Sequence, residues 1–395
     1  MVERTWIAAD MMNPPFVNQL VLEGHPEADA LDARVWEAAV REVASAQPGC
    51  RLRLRGHLKW ASWVADGPVP PVRVVDGRAW SGLDAEGAPF LSERLPYRLG
   101  PTAELLLVTG RPGRVVVRTH HATMDGGGTL TFVEDLFRAL RGEPPLGAPV
   151  TDCTDETLAR RVPGLRPLPL TPADAPSLLG PATPAPFRTT WRRLRVPGRP
   201  SKLLGRVAMA LLGAAGEYGR GRVPVGVPVD MRQFHPEIRS NANLTGMVRL
   251  ELGAFRDRPG AESAIMEEVR RLLAAREDAR NVVGMGFLRW TALYGMKVVG
   301  TLLSKANLRK DRYDTVAVIS NLGRLPLNRY VGAGFQARRG FFIPPSNPAL
   351  PLFLAMSGGP EGVEVCVTTG LGHCSGGRFD AFMERLAQEL EMPTE

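Results

Sequence analysis

Cysteine and histidine are both scarce in this chain of 395 residues. Cys50, Cys153, Cys366 and Cys374 form no C-x-x-C pair, and their spacing matches no disulfide framework. Reduced thiols in a cytoplasmic protein are the expectation. The opening residues MVERTWIAADMMNPPF lack a basic stretch followed by an apolar run, so they do not read as a secretory leader. There is no G-x-S-x-G elbow, which removes the usual setting of a serine hydrolase. There is also no P-loop and no dinucleotide fingerprint after a strand. No dense Lys/Arg run is interleaved with aromatics, so nucleic acid is not an expected partner. The net charge of +8 is moderate. It suits an anionic ligand, an acidic partner protein or anionic lipid.

What is present reads as globular. Hydrophobic residues make up 44% and charged residues 23%, enough to bury a substantial core. Apolar periodicity places a helix behind Asp29 as N-cap, with Leu31, Val35, Ala39 and Val43 on one face and Pro48-Gly49 as its end. A second helix starts near Thr129, carries Leu130, Val133, Phe137 and Leu140, and stops at Gly142. SKLLGRVAMALLGAAGEYG is helical, and so is GGRFDAFMERLAQELE, with Phe379, Met383, Leu386 and Leu390 on one face. Strands are expected in CRLRLRGHLKW, and in TAELLLVTG and GRVVVRTHH about a turn at Arg111-Pro112-Gly113. Others are TTWRRLRVP, VPVGVPVD, GMVRLELG, DTVAVIS, LPLFLAMS and GVEVCVTT. Helices and strands mix in both halves, which makes the class α+β with antiparallel or mixed sheets. Residues 163–188 are dense in proline, which interrupts helices and central strands. They read as an extended connector. The expected organisation is an N-terminal lobe over 1–162, the connector over 163–188 and a C-terminal lobe over 189–395.

One stretch, VVGMGFLRWTALYGMKVVGTLLS (282–304), is mostly apolar but interrupted by Arg289 and Lys297. Two central charges argue against a membrane-spanning helix. A helix buried between lobes or lining an apolar tunnel is the leading expectation. Contact with a membrane surface is the alternative.

The chemistry concentrates in RTHHATMDGGGTL, residues 118–130. Side chains alternate faces along a strand. His121 therefore shares a face with Val115, Val117 and Thr119, while His120 lies with Val116 and Arg118. One histidine at most points into a given pocket. The glycines of MDGGG are expected to form a turn with unusual backbone angles, open to a close-approaching substrate. Asp125 is placed either to fold back toward His121 or to pin the loop to another lobe. A metal site matches poorly, because alternation separates the histidines and no further ligands stand nearby. Cys374 beside His373 sets a thiol next to an imidazole, but adjacent residues rarely align for proton transfer. A lone histidine as general base remains. Neutral imidazole can take the proton of a hydroxyl or amine as that atom attacks a thioester carbonyl. The bland alternative is a strand end meeting a turn.

HHATMDG (120–126) resembles the HHxxxDG motif of the condensation-domain and CoA-dependent acyltransferase superfamily. That group includes nonribosomal-peptide condensation domains, chloramphenicol acetyltransferase, wax-ester synthases, alcohol acetyltransferases and polyketide-associated acyltransferases. PFVNQLVLEGHPEADALDARVWEAAVREVASAQPGCRLRL is similar to the family's opening strand and helix. VPVGVPVDMRQFHPEIRSNANLTG resembles its second-half strand and loop, and VAVISNLGRL resembles the SNLG segment of the alcohol-acetyltransferase branch. The resemblance implies two chloramphenicol acetyltransferase-like lobes with mixed sheets and flanking helices, set in a V around an active-site tunnel. It implies His121 as the catalytic base and His120 as structural. Asp125 becomes a loop-fixing residue paired with an arginine of the other lobe, for which Arg232 is the candidate. Gly126 turns the loop and offers a backbone N–H. Ser320 and Asn321 are candidates to orient the substrate or polarise its carbonyl.

No tightly bound cofactor is implied. The co-substrate is a thioester, on CoA or on the phosphopantetheine of an acyl or peptidyl carrier protein. The implied activity is a freestanding, monomeric acyltransferase of secondary or lipid metabolism. Its acceptor is the hydroxyl or amine of a small or lipid-like molecule. The alternatives are a peptide-pathway condensation enzyme forming an amide or ester bond, and a non-catalytic module that binds a carrier protein.

Overall fold

The computed structural model describes residues 2–391 apart from 13–14, 26–30, 57–59, 150–152, 170, 184–186, 199, 218–220 and 285–290. The chain opens with α1 (Val2–Met12), β1 (Val17–Glu23), α2 (Ala33–Ala46), the short β2 (Arg53–Arg55) and β3 (Ser62–Val64), and β4 (Val72–Asp76). The hairpin β5 (Ala103–Thr109) and β6 (Arg114–His120) leads into α3 (Gly126–Leu140) and α4 (Asp155–Arg160). Past the proline-rich segment come β7 (Thr189–Pro197), α5 (Leu203–Glu217), β8 (Pro224–Asp230), β9 (Thr245–Glu251), α6 (Ala261–Ala274), α7 (Glu277–Gly284) and α8 (Leu293–Lys310). The chain closes with β10 (Ala317–Arg324), β11 (Val331–Gly332), β12 (Phe335–Gln336), β13 (Arg339–Ile343), β14 (Leu352–Gly358), β15 (Gly362–Gly370) and α9 (Arg378–Glu391).

Two mixed sheets organise these elements into two lobes, as an α+β class requires. The first has the order β13-β1-β6-β5-β4, and the second β7-β15-β14-β10-β8-β9. β1, β6 and β15 are buried at every position. Such strands need cover on both faces. In the first lobe α2 and α3 cover one face, through a core that includes Trp36, Val40, Phe132 and Phe137, and Trp80, Phe90 and Trp191 pack on the other around Val21, Leu106 and Val116. In the second, α5 and α9 cover one face with Leu211, Phe382 and Leu386.

The expected C-terminal lobe over 189–395 needs correction, because part of it returns to the first lobe. β13 pairs antiparallel with β1, Gln19 opposite Ile343 and Glu23 opposite Arg339. Leu325, Leu327, Tyr330 and Phe335 join the core around Trp36. The cause is backbone satisfaction. β1 pairs with β6 on one side, and its other edge would leave buried N–H and C=O groups unpaired. The described residues of the connector are not a free spacer. Ala175 exchanges two backbone hydrogen bonds with Tyr313, at 3.1 and 2.8 Å, and Leu178 and Leu179 are buried in the second core.

Other expectations shift locally. Asp29 lies outside the described residues, and the N-cap of α2 is Asp32, which accepts from the Arg34 N–H at 3.0 Å. The buried face is Trp36, Ala39, Val40 and Val43, whereas Val35 is exposed. Trp36 sets this phase by meeting Phe137 and Phe335 edge-on. Among the described residues of CRLRLRGHLKW only the short β2 forms, since Pro48 begins a tight 3-10 turn over Pro48–Arg51. Of the stretch 282–304, expected as a helix between the lobes or lining a tunnel, Val282 at the end of α7 lines a cavity between the lobes, whereas no residue of α8 does. α8 rests on one side and exposes Tyr294, Val298, Val299, Leu302 and Leu303. Among the described residues no helix is long and apolar enough to cross a membrane.

A buried ion network ties the sheets together. Glu23 on β1 accepts from Arg114 at 3.1 Å and from Arg193 of β7 at 3.0 Å. Arg193 also donates to Glu364 at 2.7 Å and lies over the ring of Phe341. Burial alone would raise the Glu23 pKa, but the two guanidiniums hold it below the usual carboxylate value. Removing one partner of a buried pair strands the others without water. Glu23→Leu is therefore expected to destabilise the fold by about 3–5 kcal/mol, read as a lower midpoint in urea unfolding.

Candidate active site

β6 carries the two histidines to the junction of the lobes and ends between them. His120 is its last residue and is fully buried. Its Nδ1 accepts from the Ala122 N–H at 3.2 Å, and its ring meets Tyr97 edge-on. Its Nε2 lies 3.8 Å from Asp10 of α1. Asp10 also accepts from the Phe16 N–H at 2.9 Å. His120 thus faces the underside of α1.

His121 lines a cavity of about 370 Å³ whose walls come from both lobes. That size lies within the range of small-molecule sites. Trp6 of α1 and Phe16 stack on its ring at 5.2 and 5.5 Å between centroids. Burial pulls its pKa down to about 4, and the contact with the Met124 carbonyl offsets only part of that. The ring is neutral near pH 7. Its Nδ1 lies 3.3 Å from the Met124 oxygen and 3.0 Å from Asn18 Nδ2. Asn18 Nδ2 also donates to the Met124 oxygen at 2.8 Å. These contacts select between tautomers. If Nδ1–H donates to Met124, Nε2 keeps a lone pair for a ligand; if Asn18 donates to Nδ1, the proton sits on Nε2.

Asp125 is the N-cap of α3 and is buried. Its carboxylate accepts from the Gly128 N–H at 2.6 Å, and from Arg232 Nη1 and Nη2 at 3.1 Å each. It also accepts from the Leu244 N–H at 2.7 Å and the Thr245 hydroxyl at 2.9 Å. Burial would raise its pKa, yet Arg232 and the N–H donors hold it below the ordinary value. Asp230, sharing Arg232 at 2.8 Å, is pushed up by burial and by the Asp125 charge. Beside this pair, residues 239–245 run along the first lobe. Arg239 bonds Glu134 and Asp135, Asn241 bonds Gln47, and Asn243 donates to the His121 carbonyl at 2.7 Å.

The glycines have a role different from the one expected. They do not form a turn before Thr129; they are the first turn of α3. None has a positive φ. Clearance requires them instead. A Cβ on Gly126 would lie 2.4 Å from Leu322, one on Gly127 2.5 Å from Asp230, and one on Gly128 2.3 Å from the Asn241 carbonyl. Gly126 and Ser320 both line the cavity. Asn321 does not: β10 alternation turns it outward, where its Oδ1 caps the Gly323 N–H at 3.0 Å. Its expected substrate role is corrected on that ground. Cys374 and His373 lie outside the cavity wall. His373 is buried against Ser177 and Gly180, and burial raises the Cys374 thiol pKa.

Sequence reasoning missed Trp6, Asn18, Thr245 and Arg249. Arg249 lines the cavity with its Nε buried and unpartnered. Thr245 and Arg249 sit four residues apart on β9, a same-face signal that was available from the alternation.

No family model and no curated protein sequence matches the chain. Solved structures do. The first condensation domain of the calcium-dependent antibiotic synthetase, in complex with a substrate analogue, is 19% identical over 98% of this chain and 94% of that one, with a TM-score of 0.62. The fold is that of a condensation domain. Polyketide synthase associated protein 5 from Mycobacterium tuberculosis is 14% identical, covering 100% and 97%, with a TM-score of 0.62. A mutant starter condensation domain of rhizomide synthetase, in complex with C8-CoA and Leu-SNAC, is 16% identical, covering 99% and 92%, with a TM-score of 0.57. The cavity is lined from HHATMDG by His121, Asp125 and Gly126.

Three outcomes are expected. Asp125→Ala and Arg232→Ala should each lower unfolding stability by about 3–5 kcal/mol. The double variant should lose far less than their sum, since each single change strands the other charge. Gly128→Ala, normally stabilising inside a helix by about 1 kcal/mol, should instead lower the melting temperature through contact with Asn241. His121 and His373 both have pKa values lowered by burial to about 4, from 6.5. The unfolded chain therefore binds protons that the folded one refuses. Their contribution is intact above about pH 6.5, falls as pH drops, and stops changing below about pH 4. Thermal melts from pH 7 to 5 should show that slope, and His373→Gln should reduce it.

Proposed function

We propose that this protein transfers an acyl group from a thioester, on CoA or a carrier protein, to a hydroxyl or amine acceptor, with His121 as general base. The observation that supports this most is the state of His121: a neutral ring in an inter-lobe cavity, with Nδ1 engaged by Met124 and Asn18. In the tautomer whose Nδ1–H donates to the Met124 carbonyl, Nε2 is the nitrogen available to a reactant. Nucleotide, metal and serine-nucleophile motifs are all missing from the sequence, and one base suffices for direct transfer. The substrate analogue and C8-CoA in the condensation-domain structures are consistent with a thioester donor here.

The acceptor's proton passes to Nε2 while its oxygen or nitrogen attacks the thioester carbonyl carbon. Nδ1–H then donates to the Met124 carbonyl, which stabilises the imidazolium. The tetrahedral oxyanion is met by the Gly126 N–H at the start of α3 or by the Ser320 hydroxyl. Its collapse breaks the carbon–sulfur bond, and the thiolate takes the proton from His121. Asp125 acts through position: it holds the loop and the other lobe in place.

The test is release of free thiol from acyl-CoA and acyl-carrier-protein donors, with a panel of alcohols and amines. His121→Ala should lower kcat/KM about a hundredfold or more. Equal rates in both proteins would reject His121 as base. The acid limb of kcat/KM should fall near pH 4, matching the depressed pKa. Trp6→Ala, which opens the ring to water, should move that limb upward.

A further inference from the structure

We propose that the outer face of α8 docks on an anionic lipid bilayer. The helix is 18 residues long, roughly 27 Å. Among its residues only Leu293 and Ser304 are buried. Its inner side rests on α1, where a Cβ on Gly300 would come within 2.8 Å of Met12 Sδ. Its outer side exposes Tyr294 at 65%, Leu302 at 62%, Leu303 at 59%, Val299 at 56% and Val298 at 41%. No α8 residue lines the large cavity, so this face is not part of the candidate active site. A helix that is apolar on both sides is covered on both sides. Here, among the described residues, α1 covers one side and leaves the other exposed.

Charge points to the second cover. The chain has five lysines, and Lys297, Lys305 and Lys310 are three of them. Arg309 lies between the last two, and no acidic residue occurs from 279 to 310. Lys305, Arg309 and Lys310 are exposed at the C-terminal end of the apolar band. Their long stems can lie along it while the cationic heads reach phosphates. An apolar stripe flanked by cations is the composition of a helix lying in the plane of a membrane interface. A second copy of this chain would set like charges together with no carboxylate on α8 to match them. Met12 both contacts α8 and lines the cavity, so docking would place the cavity's α1 wall next to the bilayer.

The test is co-sedimentation of the full chain with vesicles of phosphatidylcholine alone or mixed with phosphatidylglycerol. Binding is expected to the mixed vesicles, to weaken with salt, and to fall about fivefold for each of Lys305→Ala, Arg309→Ala and Lys310→Ala. Leu302→Asp with Leu303→Asp should abolish binding while leaving the circular dichroism and melting temperature unchanged, since both side chains are exposed. His121→Ala should bind as wild type does, which separates docking from catalysis. Absence of binding to mixed vesicles at low salt would overturn the proposal, and so would binding that survives the double aspartate change. A wild-type dimer that becomes monomeric on that change, with no vesicle binding, would assign the face to a second copy instead.

Discussion

One carboxylate holds the two lobes to a common point. Asp125 is a helix cap, an ion-pair partner and a backbone anchor at once, and its donors come from both sides of the junction. A buried charge is tolerable only when it is so fully matched. Because its oxygens must reach Arg232, Leu244 and Thr245 together, the start of α3 has to lie against the second lobe. That contact leaves no room for a Cβ at Gly126, Gly127 or Gly128. The glycine run is thus a consequence of the carboxylate's partners.

Two positions four residues apart solve burial in opposite ways. Asp125 keeps its charge because cationic and N–H donors surround it. His121 gives up its charge because Trp6, Phe16 and the cavity wall offer little to stabilise it. The result is a fixed anion beside a neutral ring. α1 is central to that second environment, since its Asp10 lies near His120 on one side while its Trp6 stacks on His121 on the other.

Much of this was legible in the chain, and the gaps have physical causes. Period-two alternation along GRVVVRTHH separates the two histidines, and the structure has His120 against Asp10 and His121 in the cavity. The resemblance implied Arg232 of PVDMR as a partner for Asp125, and the two meet at 3.1 Å. The role of the glycines was not legible, because clearance from Leu322 and Asn241 is a property of distant sequence. Trp6 and Asn18 were invisible for the same reason: each matters through a ring far along the chain. α8 misled because an apolar run reports that a helix will be covered and not by what. Asn321 sits beside a cavity residue in sequence, and alternation, applied at His120 and His121, would have turned it outward too.

The return of β13 to the first sheet has its own consequence. Residues 1–162 made alone would carry β1 as an open edge, a row of unpaired backbone groups flanked by apolar side chains. Such edges recruit strands from other chains. The first lobe is complete only after more than three hundred residues have been synthesised, when Arg339–Ile343 arrives to close it. During translation the nascent first lobe must wait with that edge uncovered, so a strand made some three hundred residues later acts as the seal on the first.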